Sequence, residues 1–553
     1  MKNKTIKKAC AILLMGCFTS CDFLDIAPLD SYTEDNIFSD AALTEAYVTK
    51  NYVLPRNGFN QTAIRMVTDE CMCLHNQWAW GYPWDIISGQ MTPDFTGGYS
   101  TWFEYYPHIK SCNIFFNNMD KVNQIPEESR NLLVGEMTFF RAFFYMDLVN
   151  RFGGVPYITR TFELDDPNMM IPRNSYEDCV DSIASEFKKA ADLLPLKHSG
   201  SNFGRATKGA ALAMRARLLL YAASPLWNPT NEKSKWEAAA QAAKDVIDLD
   251  IYTLDNDYKG MFLNPFSSEI IFERLFTTEY GAEWVDQKNS PNGMGGWSAT
   301  CIYQDMVDSY EMEDGTMPDP SKYATATSDP WQGRDPRFYA SVACDGQQYR
   351  GRELEFWVNE DGKTGGLDSR YGAQGWNSTK TGYIIRKFMD ENLTPDVSNN
   401  WNTNSSQPWI YSRLGEVYLN YAEAMYHCGN EDVAREYVNK IRKRARGGRE
   451  NILPDVTESG ETLLAKIQHE RKVELAFEEH RFFDVRRWKI AEDTDNKPGM
   501  GIEITRKADG TKSYEIVPAG PVRKFNAPEH YLLPIPRSEI QKNDLLKQNP
   551  GYK

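Results

Sequence analysis

The sequence predicts a mostly α fold: a degenerate tetratricopeptide-like helical scaffold carrying a loop-rich ligand face and few short strands. Three observations predict it. The segment 128–152 is apolar on nearly every side, with Leu132, Leu133, Phe139, Phe140, Phe143, Phe144, Met146, Leu148 and Val149, as expected of a helix buried on several faces. Residues 421–438 read as a helix, a Gly429-Asn430 turn and a second helix, like the middle of a tetratricopeptide repeat. Residues 265–408 are rich in Gly and Pro and read as loops with short strands.

In chain order, Lys2, Lys4, Lys7 and Lys8 precede the apolar run Ala9–Met15 and the small polar residues before Cys21, the layout of a secretory leader over 1–20. The run is far short of the roughly 20 residues that span a bilayer. Cys21 therefore reads as a lipidated first residue of the mature chain, with Cys17 in Leu14-Met15-Gly16-Cys17 as the alternative box. More than one acyl chain suffices for stable anchoring. Further helices are expected at 176–194, capped by Ser175, at 207–223, and at 234–249, capped by Ser234. Trp236 and the alanines after it hint at a second repeat copy. Helices return at 412–427, 431–445 and 461–487, and the Pro-rich C-terminus is expected to be extended and wrapped. This gives an N-terminal helical region, 21–230, and a C-terminal region, 231–553, loop-rich over 265–408 and helical over 412–490, fused in one globular unit.

A net charge of −15 argues against nucleic acid and anionic lipid as partners, because phosphate binding needs a basic surface. The seven cysteines after Cys21 are scattered and odd in number, so they read as small buried residues and not as a disulfide framework. Cys71-x-Cys73-x-His75 spaces its side chains too widely for one zinc ion, and Asp255-Asn-Asp257 lacks the later Glu of a calcium loop. No metal or cofactor is expected. There is no Gly-x-Ser-x-Gly, phosphate loop or His-Glu-x-x-His, so no catalytic residue is assigned. Paired carboxylates for glycoside hydrolysis stay open, since geometry decides them.

Aromatic residues make up 13% of the chain, including 14 Trp, more than a core alone calls for. The sharpest candidate site is Asn76-Gln77-Trp78-Ala79-Trp80-Gly81-Tyr82-Pro83-Trp84. The alternation of Trp78, Trp80, Tyr82 and Trp84 suits an extended segment showing them on one face. Flat rings cover the C–H face of a sugar at low entropic cost while the amides of Asn76 and Gln77 bond hydroxyls. Trp297, after Gly293-Met-Gly-Gly, is the second candidate, and Trp331 and Trp376 follow in Gly-rich loops. On the helices, Glu470, Glu474 and Glu478 with Arg471, Lys472 and Arg481 read as an ion-pair-laced face. Arg141 and Arg217 should meet buried acids or helix-end carbonyls.

Six blocks in order resemble the SusD/RagB family of surface nutrient-binding lipoproteins. They are Gly135-Glu-Met-Thr-Phe-Phe-Arg with the exit Gly153-Gly-Val-Pro, Arg205-Ala-Thr-Lys-Gly, Arg334-Asp-Pro-Arg-Phe, Arg413-Leu-Gly-Glu-Val-Tyr, Glu470-Arg-Lys-Val-Glu-Leu-Ala-Phe-Glu-Glu-His-Arg, and Leu533-Pro-Ile-Pro with Gln548-Asn-Pro-Gly-Tyr. The resemblance covers essentially the whole mature chain. It implies a SusD-like scaffold of four degenerate tetratricopeptide units and ligand-contacting loops after Thr68-Asp69-Glu70. It also implies residence on the outer membrane, facing the exterior, with a SusC-like TonB-dependent barrel transporter as the partner over which the lipoprotein sits as a lid. The expectation is a non-catalytic protein that captures an oligosaccharide and hands it to that barrel. A secreted all-α glycoside hydrolase, a peptide-binding member of the same family and a helical-repeat assembly protein are the alternatives.

Overall fold

The computed structural model describes residues 33–122, 125–279, 284–325, 329–393 and 405–553; the leader and the lipidation candidates Cys17 and Cys21 lie outside them. Helix accounts for 44% of the described residues and strand for 11%, so the fold is mostly α. Two short helices, α1 (Glu34–Ser39) and α2 (Ala41–Thr49), lead into α3 (Trp102–Asn118) and α4 (Glu127–Phe152). The scaffold continues through α5 (Tyr176–Leu193), α6 (Lys208–Ala223), α7 (Lys233–Ile247), α8 (Leu414–His427), α9 (Glu431–Ala445), α10 (Gly460–Glu474) and α11 (Arg481–Arg487). Each helix packs on the next in chain order from α3 to α10, and α8 also inserts beside α7. The loop-rich stretch between α7 and α8 is thus an insertion into a continuous helical stack.

The apolar patterning explains the core. Helix α4 buries Phe139, Phe140, Phe144, Tyr145, Leu148, Val149 and Phe152 completely. Ser175 caps α5 by accepting the Asp178 N–H, as expected. Ser234 does not cap α7: that helix starts one residue earlier, and Asn228 holds its entry by accepting the Glu232 N–H at 2.8 Å. Arg141 and Arg217 meet buried acids, Glu186 at 2.5 Å and Glu416 at 2.6 Å. The seven mature cysteines are all unpaired, and all but Cys428 are buried. The C-terminal segment straps the end of α4, with Leu533 donating to Arg151 O at 2.7 Å and Asn549 to Phe152 O at 2.9 Å. No described helix is long and apolar enough to cross a membrane.

The helix expected over 461–487 divides in two. Arg413 donates to Glu474 O at 2.8 Å and Lys387 to Ala476 O at 2.9 Å, so buried cations satisfy the carbonyls that α10 leaves open. Phe477 and Glu479 then take left-handed φ of 66° and 68°. The carboxylates of this segment do not form a solvated face with Arg471, Lys472 and Arg481. Glu470, Glu474 and Glu478 are buried and pair instead with Arg337, Arg442, Arg444, Arg413 and Lys387. Spacing along one helix identified the charges but not their partners, which arrive from other elements.

Strands are short. β1 (Cys71–Cys73) pairs antiparallel with β3 (Thr300–Ile302), and β2 (Ile270–Arg274) with β4 (Trp409–Arg413). A longer hairpin, β5 (Pro498–Arg506) and β6 (Lys512–Val522), stands near the C-terminus.

Candidate functional site: an aromatic cluster on anchored loops

The site begins at the β1–β3 pair. Cys73 lies opposite Thr300, and Leu74 N donates to Ala299 O at 2.9 Å. That register carries the segment after β1 alongside the one before β3, and so brings together the two aromatic clusters. The Trp80 and Trp297 rings meet edge to face at 6.2 Å and 76°, and Trp297 meets Trp284 the same way at 6.0 Å and 88°. His75 adjoins Trp80 at 5.4 Å, its imidazole pushed below its usual range by burial.

The residues divide by role. Trp284 is 41% exposed, Tyr82 36% and Trp376 74%; Gln77 is exposed and Trp297 half-buried. Trp80 is buried, resting on Ala63, Met66, Cys73 and Ala299 as the floor of the cluster. The side chain of Trp78 lies outside the described residues. The expected extended segment is instead a 3-10 turn over Trp78–Trp80 followed by a short helix, Pro83–Ile87. Gly81 turns the chain at φ 75°, where a Cβ would sit 2.3 Å from Gly97 O, and Tyr82 follows at φ 49°. Coiling in this way cancels the strand-like alternation.

Three expected ligand contacts are structural. Trp84 is half-buried against Met72, Leu74, Cys301 and Tyr303, and its indole N–H donates to Cys73 O at 2.7 Å. Asn76 accepts the Trp84 N–H at 3.0 Å and donates to Asp85 at 2.9 Å, which closes the turn. Trp331 is 1% exposed, donates to the Tyr383 hydroxyl at 3.1 Å and lies between Tyr383 and Tyr514. A Gly-rich flank suggested a surface Trp, but the ring fills a core made by residues distant in sequence.

Trp284 is the residue that sequence reasoning passed over. It stands at a left-handed φ of 61° at the start of the helix Val285–Asn289. Trp376 shares this region of loops: Asn292 donates to Ser369 O at 3.1 Å and Ala373 O at 2.8 Å, which fixes the Trp376 loop to the loop before Trp297.

The loops are anchored from the far end of the chain. Arg481 holds the Asp69 carboxylate through two bonds of 2.7 Å, and Phe477 N donates to Glu70 Oε1 at 3.0 Å. The Arg481 and Lys472 cations keep the Asp69 carboxyl ionised far below its usual range against the burial that opposes it. Burial pushes Glu70 up to about 8, and its second oxygen finds no protein partner. Glu479 accepts from Ile64 N and from Arg65. The Cys73 thiol is likewise pushed up to about 12 by burial, and among the described residues no three His, Cys, Asp or Glu converge as metal ligands do.

Residues 268–552 match the family model described as the SusD family, and residues 22–220 match one described as starch-binding, associating with the outer membrane. The chain belongs to the SusD family. A SusD-like protein of Bacteroides fragilis is 30% identical, with a TM-score of 0.78 over 95% of this chain and 100% of that one. A SusD-like carbohydrate-binding protein of the same species, 23% identical, superposes with a TM-score of 0.76 over 92% of this chain and 100% of its own. SusD-like protein P25 of Formosa agariphila is 25% identical over 82% of this chain and 79% of that protein. These likenesses fit a helical stack interrupted by loops, and the aromatic cluster lies on those loops.

Proposed function

We propose that this protein is a non-catalytic, lipid-anchored capture protein that binds an oligosaccharide on the aromatic cluster and passes it to a TonB-dependent barrel in the outer membrane. The observation that carries the reading is the meeting of Trp80, Trp297 and Trp284, with Trp284 exposed and Trp297 half-buried above a buried floor. Rings held edge to face by their neighbours cannot rotate away, so a sugar stacking on them costs the protein little entropy. Relatives support the ligand class: among the structural neighbours are a laminarin-binding SusD-like protein and a surface glycan-binding protein of Bacteroides fluxus. The outer-membrane wording of the second family description supports the location. Anchoring through Cys21 rests on the leader and its box.

The test is calorimetric titration of the purified mature chain against a panel of neutral glucans, laminarin among them, other glycans and peptides. Trp284→Ala and Trp297→Ala should each weaken binding of the retained glycan by about 1–3 kcal/mol. Undiminished affinity in both variants would move the site elsewhere, and release of reducing sugar by the wild type would restore the hydrolase reading.

A further inference from the structure

A two-lobed groove beside β2 shares no lining residue with the aromatic cluster. One lobe, about 380 Å³, is lined by Leu196, Tyr252, Phe266 and Glu273 among others. The second, about 550 Å³, is lined by Glu45, Val53, Leu275 and Glu273. Phe203, Gly204 and Arg205 border both. Gly204 suits its place there through a left-handed φ of 88°, which other residues rarely adopt.

Glu273 lies where the lobes meet and is 6% exposed. Its Oε2 has no hydrogen-bond partner, and burial alone pushes the carboxyl up to about 8. Arg205, on the shared wall, is already held by Glu136 and Glu45, each at 2.6 Å. A buried carboxyl left without a partner stays neutral at the expense of its hydrogen bonding, and a cation that reaches it would restore the ionised form in a charge-assisted bond. The surroundings say what brings that cation. Of the 16 large apolar side chains exposed on the described surface, four line these lobes: Val53, Leu196, Phe266 and Leu275. Such clustering marks a protein contact, and the aliphatic members offer no flat face to a sugar ring.

We propose that this groove receives a polypeptide segment of a partner protein, with a lysine or arginine side chain seated on Glu273 and apolar neighbours filling the two lobes. The charge of the segment complements the unpaired carboxyl, and its apolar residues cover the exposed Val53, Leu196, Phe266 and Leu275.

The probe is a fluorophore-labelled, end-capped peptide Leu-Leu-Lys-Leu-Leu carrying a photo-crosslinker, compared with the same peptide bearing norleucine in place of lysine. Wild-type mature chain should bind the lysine peptide at least tenfold more tightly, with crosslinks within 196–205 or 266–275. Glu273→Gln should abolish the preference. Equal binding of the two peptides, binding of neither, or a preference that survives Glu273→Gln overturns the proposal. Melting supplies the second measurement: Glu273→Gln should melt at or above the wild-type temperature, and a clear fall would assign the carboxyl to the fold instead. Glycan binding by Glu273→Gln, measured alongside, should match wild type, so that failure of this proposal and failure of the glycan reading are seen separately.

Discussion

Replacing Arg413 by Met tests whether the buried charges hold the helical stack to the loop-bearing insertion. Arg413 is 1% exposed. Its guanidinium spans three carboxylates, Glu478 through two bonds of 2.7 Å and Glu269 and Glu474 at 2.7 Å each. Removing it leaves Glu478 with Lys387 alone and Glu269 with Arg444 alone, while Glu474 keeps Arg337 and Arg444. Breaking a buried pair from one side typically costs about 3–5 kcal/mol, a large fraction of a stability of about 5–15 kcal/mol. Arg413→Lys keeps the charge but loses the planar fork, and should fall between wild type and Arg413→Met. The assay is urea unfolding followed by fluorescence and circular dichroism, with Glu478→Gln and the double variant completing a cycle. Glu478→Gln removes the carboxylate that Arg413→Met strands, so the double variant should lose less than the two singles together, by about 1–3 kcal/mol. A cost under about 1 kcal/mol for Arg413→Met, or strict additivity, would refute the idea that this network stabilises the junction.

Burial raises the Glu70 carboxyl from 4.5 to about 8, so its contribution is complete below pH 4.5 and is lost as pH rises through 8. By linkage the loss is at most ~5 kcal/mol. Glu70→Gln, neutral throughout, should flatten the stability profile between pH 5 and 8, and an unchanged slope would show that Glu70 ionises without cost. Trp331→Ala should destabilise the fold by about 3–5 kcal/mol, as large-to-small changes in a core do, yet leave glycan affinity intact in the folded fraction; a selective loss of affinity would return Trp331 to the site. Cys21→Ala should release the protein from the membrane fraction, since without acyl chains no described helix can hold it there. Unaltered fractionation would exclude Cys21 as the anchor.

The helices were legible because their signals are local. An all-apolar run announced α4, and a Gly-Asn turn announced the α8–α9 pair. Helix α3 escaped because Pro107 lies inside it and reads as a breaker. The site was half legible. Trp297 and the 76–84 segment could be named from their aromatics, but their contact depends on the β1–β3 register, which joins residues more than 200 positions apart. Burial was the hardest property to read. Trp284 and Trp331 both border Gly- and Pro-rich text, and only the three-dimensional path decides that one faces solvent and the other meets Tyr383. The charges of 470–481 were likewise visible as a group, while the partners of its carboxylates at 337, 387, 413, 442 and 444 were not.

The anchoring explains how such a site stays open and in place. Three-residue strands and 3-10 turns are too short to hold aromatic side chains at fixed angles by backbone pairing alone. What fixes the aromatic cluster is the break between α10 and α11: by ending the helix at Glu474, the chain frees Phe477 N for Glu70, Glu479 for Ile64 and Arg65, and Arg481 for Asp69. These contacts close loops of about 400 residues and reach residues 64–70, just before β1, from the helical side. A helix continuous through 461–487 would point these groups along a solvated stripe and leave the start of β1 unsupported. The left-handed Phe477 and Glu479 therefore belong to the framework of the candidate site although neither is placed among its rings: they tie the helical stack to the segment that leads into β1.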